Sequence, residues 1–121
     1  MPEINMQMFA RNAGVNMAYP AGAMIFQEGE PGNCLYVIQS GVVEILIHDK
    51  VVDVCEANEA MGFLSVIDGA PRTATARVKE NAEVSVIDQR KFRFMLDEVP
   101  NFASYIIDAM AHRIRGMKQA I

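Results

Sequence analysis

Glycine and proline punctuate the first part of this chain at short, regular intervals: Pro20 and Gly22, then Gly29, Pro31 and Gly32, then Gly41. Between them lie the runs AMIFQ, CLYVIQS and VVEILIH, rich in β-branched and aromatic residues, with much alternation of apolar and polar side chains. Short strands this closely spaced, separated by glycine turns, predict an antiparallel sandwich or barrel. The segment VVEILIHDKVVDVCEA reads as a hairpin. Val43, Ile45 and Ile47 face one side of it and Glu44 and His48 the other, with the turn near Asp49-Lys50, a dipeptide without the glycine that two-residue turns favour.

After Ala57 the pattern breaks at Gly62. Residues 63–67 suit one or two helical turns, ended by Gly69-Ala70-Pro71, and TATARV and AEVSVID return as strands. Asp88 is placed to cap a helix over about 89–97 that Pro100 stops, and a last helix covers about 101–121. Residues 1–14 read as a short helix or turn. Strands first, one helical insertion, then helices: this is an α+β order, with helices gathered at one end of an antiparallel β-barrel or jelly roll. The 121 residues make one domain, with the barrel at about 15–88.

Composition removes several function classes. No run of eighteen apolar residues exists to span a membrane, and the opening MPEINMQMFARN is no secretory signal. The net charge is −4, which argues against direct nucleic-acid binding. Arg113, Arg115 and Lys118 sit where the C-terminal part of a helix favours cations, which explains them without a partner. The two cysteines, Cys34 and Cys55, lack metal-ligand spacing and read as buried thiols of a reducing, cytoplasmic compartment, or else as a disulfide. No nucleophile, base or metal constellation emerges from His48 and His112, which lie on different elements, and His48 with Asp49 and Asp53 reads as a solvated hairpin tip. The chain reads as a non-enzyme, with no catalytic residue, metal or resident cofactor.

The stretch MGFLSVIDGAPRTAT, residues 61–75, carries the chemistry. Gly62 lets the backbone approach a ligand closely. The amides of Phe63, Leu64 and Ser65 open a helix and lack partners within it, which suits an anion. Arg72 adds a full charge, Thr73 a hydroxyl and Ala74 one more amide, enough to hold a phosphate. The local chemistry equally allows Arg72 to pair with Asp68 at a sheet edge.

The chain resembles the cyclic-nucleotide-binding domain, the β-barrel module of catabolite-activator-type regulators, cyclic-nucleotide-dependent kinases and gated channels. The likeness covers about Pro20 to Arg115. It rests on AGAMIFQEGEPGNCLYVIQSGVVEI with glycines at 22, 32 and 41, on MGFLSVIDGAPRTATARV, which aligns with the family's phosphate-binding cassette, and on VSVIDQRKFRFMLDEVPNF. The resemblance implies that Arg72 binds the phosphate of cAMP or cGMP, supported by Thr73, Ala74 and the amides of Gly62 to Ser65. Nucleotide-binding members carry a glutamate directly after the cassette glycine, accepting the ribose 2′-hydroxyl. Phe63 stands there instead. A hydrogen bond to a charged group contributes about 1.5–3 kcal/mol, so its loss weakens binding by about ten- to 150-fold.

The last helix carries two apolar stripes. Phe102, Tyr105, Ile106 and Ala109 form a face that ends at His112. A second seam continues: Ala103, Ile107, Met110, Ile114, Met117 and Ile121, spaced 4, 3, 4, 3, 4. The wide early face predicts packing on the barrel. The narrow 4-3 seam predicts a homodimer through this helix, an arrangement the resembled family often uses. The chain ends soon after the seam, and a stand-alone module without a helix-turn-helix domain is expected. Two functions follow: a sensor that binds a cyclic nucleotide or similar phosphate ligand and signals through the last helix, or a degenerate module, with Phe63 plugging the cavity, that serves dimerisation or docking.

Overall fold

The computed structural model describes residues 5–117. The chain runs α1 (Met6–Ala13), β1 (Val15–Tyr19), β2 (Met24–Phe26), β3 (Cys34–Ile47), β4 (Lys50–Cys55), β5 (Ala60–Met61), α2 (Phe63–Asp68), β6 (Thr75–Asp88), α3 (Gln89–Glu98) and α4 (Phe102–Met117). The expected α+β order of strands, cassette helix and C-terminal helices holds, and the fold is that of an antiparallel jelly roll. The sheet does not close into a barrel. Its path is β1-β6-β3-β4, with β2 pairing on β6 and β5 on β3, giving an open, sandwich-like arrangement.

Two 14-residue strands organise everything else. The runs CLYVIQS and VVEILIH, expected as separate strands on either side of Gly41, form the single strand β3. Likewise TATARV and AEVSVID merge into β6. The two strands pair antiparallel from Cys34↔Asp88 to Leu46↔Thr75, with register shifts between Ile38 and Val43. Gly41 sits within that irregular stretch at φ +92, where a Cβ would lie 2.3 Å from the Asn81 carbonyl oxygen. Glycine there bends the strand pair rather than ending it.

The bend lets β3 serve two cores. Leu35 and Val37 face a helical core shared with Met6, Phe63, Phe92 and Phe102. Ile38, Val43 and Ile45 face an inter-strand core with Phe26, Met61 and Val84. The hairpin expected after Gly41 is present, but its turn is His48-Asp49, both at positive φ (50 and 65), followed directly by Lys50 of β4. That is the handedness a two-residue hairpin turn requires. A register shift between Ile45 and Leu46 breaks the simple alternation, so Leu46 is buried beside Ile45.

The helices cap one end of the sheet. Asp88 caps α3, its side chain accepting from Lys91 N at 2.8 Å, as the sequence predicts. Phe92 of α3 meets Phe102 of α4 edge to face at 5.7 Å. Phe102 and Ile106 are buried, and Tyr105 and Ala109 pack against the same core, so the wide early stripe of α4 lies on the domain.

The bend at Gly41 is open to a direct test. Gly41→Ala forces a Cβ against backbone and a left-handed conformation that costs a non-glycine residue about 1–2 kcal/mol by itself. Gly22, also at positive φ, has open space where its Cβ would be. Urea denaturation should show Gly41→Ala to be the more destabilising by at least ~1 kcal/mol; equal losses would mean the crowding at Gly41 relaxes freely.

Candidate functional site

Arg72 is buried, with 5% of its surface exposed. Its backbone is pinned to the loop before β3: Arg72 N donates to Glu30 O at 2.8 Å, and Gly29 N donates to Arg72 O at 2.8 Å. The side chain then runs between two glycines. A Cβ on Gly32 would stand 2.3 Å from Arg72 Nε, and one on Gly62 would stand 2.6 Å from a terminal guanidinium nitrogen. Gly62 is also left-handed at φ +88, where it caps α2. These two positions are glycine because the guanidinium occupies the space.

The guanidinium has neutral partners. One terminal nitrogen donates to Cys34 O at 3.0 Å and contacts Cys34 Sγ at 3.4 Å; the other donates to Gly62 O at 3.4 Å. Its carbon lies 4.4 Å from the Phe26 ring centroid and 5.6 Å from that of Tyr36, within cation–π range. Nε is buried without a partner. Among the described residues no carboxylate forms an ion pair with Arg72. The pairing with Asp68 allowed by the local sequence is absent; Asp68 instead accepts from Ala70 N at 2.9 Å. Burial without a counter-charge is costly unless something supplies one.

Beside Arg72 lies a cavity of about 170 Å³. All seven residues expected at the ligand site line it: Gly62, Phe63, Leu64, Ser65, Arg72, Thr73 and Ala74. Phe63 is buried in the helical core and forms a wall, leaving the cavity beside it. The Ser65 hydroxyl donates to Ala70 O at 2.8 Å, closing the loop behind α2. The first bond of α2 runs from Val66 N to Gly62 O at 3.3 Å, so the amides of Phe63, Leu64 and Ser65 precede the hydrogen-bonded ladder. Glu59, four residues before Phe63, is occupied in a turn, accepting from Glu56 N at 2.8 Å.

Residues that the sequence did not assign to the ligand site complete the wall. Phe26 and Ile45 come from the sheet, and Met110, Arg113 and Ile114 from α4. Phe26 was legible only as one apolar member of a short strand. Arg113 is a correction. Expected to need no partner in the C-terminal part of the helix, it is instead paired. Its Nε pairs with Asp53 Oδ2 at 2.8 Å, a terminal nitrogen donates to Ala60 O at 2.7 Å, and its guanidinium carbon lies 5.8 Å from the Phe63 ring centroid. Both partners are largely covered, with side chains 16% and 26% exposed. Asp53 therefore leaves the hairpin-tip group, while His48 N donates to Glu28 Oε1 at 2.7 Å. Among the described residues no three His, Cys, Asp or Glu side chains converge as a metal site would need.

Both thiols are free. Burial pushes the Cys55 thiol up to about 12, so it stays protonated at neutral pH. Burial likewise raises the Tyr36 phenol, which stacks on Phe26 at 5.6 Å. Along α4 the seam residues divide. Met110 is half-buried against the core, whereas Ile107 and Ile114 are 65% and 63% exposed. Met117 is the last described residue of α4, and Ile121 lies outside the described residues.

With this geometry in place, the model of the cyclic nucleotide-binding domain matches residues 16–99. The chain belongs to that family. The cAMP-activated, CRP-like global transcriptional regulator of Mycobacterium tuberculosis is 28% identical over 102 residues, 80% of this chain and 46% of that protein. A cAMP-dependent protein kinase regulatory subunit of Emericella nidulans is 31% identical over 85 residues, 69% of this chain and 21% of that protein. The chain thus spans less than half the length of these curated relatives. The catabolite activator protein of Thermus thermophilus superposes with a TM-score of 0.80 at 25% identity, covering 89% of this chain and 53% of that one. Among the described residues of this cyclic nucleotide-binding domain, no helix is long and apolar enough to cross a membrane.

The Arg113 contacts generate a local prediction. Arg113→Ala removes the ion pair and the Ala60 bond that tie the second half of α4 over the cavity. Hydrogen exchange at residues 110–117 should accelerate at least tenfold, while 102–106, held by Phe102 and Ile106, stays within twofold of wild type. Uniform acceleration along α4 would show that Arg113 does not act as a local tie.

Proposed function

We propose that this chain is a non-enzymatic regulatory sensor module that holds a phosphate-bearing ligand at Arg72 and Gly62–Ser65 and signals through α4. A cyclic nucleotide, cAMP or cGMP, is the simplest such ligand. The observation that carries the reading is the Arg72 guanidinium: buried, unpaired with any described carboxylate, and in the wall of a cavity that α4 partly roofs. A bound phosphate supplies the missing negative charge through charge-assisted hydrogen bonds. Thr73 and Ala74 flank the same anion. Because Met110, Arg113 and Ile114 share the cavity, a ligand that contacts them differently in two positions of α4 shifts the helix between those positions. The relatives, a transcriptional regulator and a kinase regulatory subunit, favour regulation over catalysis. Two free thiols favour the cytoplasm, and the acidic balance argues against direct contact with nucleic acid or an anionic membrane surface.

Titration calorimetry tests the reading. Cyclic AMP or cyclic GMP should release or absorb binding heat with wild type that Arg72→Ala abolishes, and Phe63→Glu should tighten binding by about ten- to 150-fold. No heat with wild type and none gained in Phe63→Glu would remove the sensor.

The second reading is a degenerate cassette in a dimerisation or docking module, favoured by the phenyl ring of Phe63 where relatives of the resembled kind place a ribose acceptor. In either reading α4 pairs with a second copy, a proposal supported by the exposure of Ile107, and of Ile114 at the edge of the cavity. Sedimentation at tens of micromolar should show a dimer that Ile107→Glu with Ile114→Glu converts to monomer. A wild-type monomer at that concentration would end the pairing.

A further inference from the structure

The two cysteines stand in opposite surroundings. Cys55 is fully buried in the inter-strand core. Burial holds its thiol protonated at neutral pH, and a protonated thiol is a poor nucleophile. Cys34 opens β3 and keeps part of its surface exposed. Its sulfur lies 3.4 Å from a terminal nitrogen of the Arg72 guanidinium, and the same nitrogen donates to Cys34 O at 3.0 Å. A guanidinium presents its donors in a fixed fork, in which this nitrogen and Nε share one edge. Nε is buried and without a partner, on a residue only 5% exposed. The guanidinium is hemmed in by Gly32, Gly62 and Phe26, so that edge stays turned to the sulfur. A thiol accepts hydrogen bonds weakly. An anionic oxygen carried by the same sulfur accepts strongly and brings the charge that Arg72 lacks.

We infer that Cys34 is a peroxide-sensitive modification site whose oxidised side chain gives Arg72 an internal counter-ion and so competes with a phosphate-bearing ligand. In the step, the Cys34 thiolate attacks one oxygen of hydrogen peroxide. An S–O bond forms and the O–O bond breaks, sulfur gives up two electrons, and the departing oxygen takes a proton and leaves as water. A thiol and a peroxide thus become a sulfenic acid and water. The sulfenic acid releases its proton to solvent, and its oxygen pairs with the Nε edge of Arg72. A dithiol reverses the change, taking the oxygen away as water and becoming a disulfide itself. Cys34 is not part of the cavity wall, so oxidation leaves the space and alters its charge. The competition rests on the reading of Arg72 as an anion site; the modification does not.

The test treats the whole reduced chain with hydrogen peroxide and locates added oxygen by peptide mass spectrometry. Cys34 should gain oxygen at least about tenfold faster than Cys55. Arg72→Met should slow Cys34 at least about fivefold, because the guanidinium stabilises charge developing on oxygen, with circular dichroism verifying that the variant is folded. Oxidation should raise the wild-type melting temperature by about 4 °C or more. No such rise is expected in Arg72→Met or in Cys34→Ser, the second of which also controls for oxidised methionines. Cyclic AMP should bind the oxidised chain at least about tenfold more weakly than the reduced one, and dithiothreitol should restore the binding. Equal rates at Cys34 and Cys55, or a Cys34 rate and melting temperature indifferent to Arg72→Met, would overturn the modification site. Equal cyclic AMP binding by both forms would overturn the competition. Selective, Arg72-dependent oxidation in a chain that binds no cyclic AMP in either form would uphold the site and count against the cyclic-nucleotide reading alone.

Discussion

A guanidinium held inside a small domain without a carboxylate partner sets the terms for everything around it. Charge in a low-dielectric interior is stable only when it is neutralised or well solvated by the protein. Here two carbonyl oxygens and the faces of Phe26 and Tyr36 provide the solvation, and neutralisation is left open. Gly32 and Gly62 are small because the side chain passes between them. The loop before β3 is tied to the Arg72 backbone on both sides. A residue positioned this closely, with Nε buried and unpartnered, is the observation on which the proposed anion site rests.

The same cavity joins the sheet to the last helix. The first half of α4 is fixed by Phe102 and Ile106 in the helical core. The second half is held by one ion pair to β4 and one hydrogen bond to β5, while Ile107 and Ile114 remain largely exposed. The helix thus combines a secure anchor with a polar tie placed where a ligand would meet it. Polar ties exchange partners at less cost than a packed core can be opened, so the two halves of α4 are expected to open at different cost.

The fold was legible because its signals are local. Glycine spacing, β-rich runs, the Asp88 cap and the Phe102–Ala109 stripe each act within a few residues, and together with the three quoted segments they point to the family. The strand merger at Gly41 was hidden because a glycine that turns a chain and one that bends a strand pair look alike until their partner is known. For the same reason the hairpin turn fell one residue earlier than expected, its handedness supplied by His48 and Asp49. The cavity residues from Gly62 to Ala74 were legible because they lie in contiguous sequence. Phe26 and Arg113 in the cavity wall, and Cys34 against the Arg72 guanidinium, were not, because they come from distant parts of the chain and no spacing relates Arg113 to Asp53. Arg113 was read from its position near a helix end, a local reason that tertiary pairing overrode.

The central claim is that Arg72 is kept for an anion and not for the empty fold. Denaturant unfolding of the unliganded wild type and of Arg72→Met tests it most directly, since methionine keeps an apolar stem and removes the charge. The account predicts a variant as stable as wild type to within about 1 kcal/mol, or more stable, because replacing buried charge by apolar volume is often neutral or favourable. A loss of more than about 3 kcal/mol, the cost expected when one member of a satisfied buried pair is removed, would contradict it and make Arg72 a structural residue.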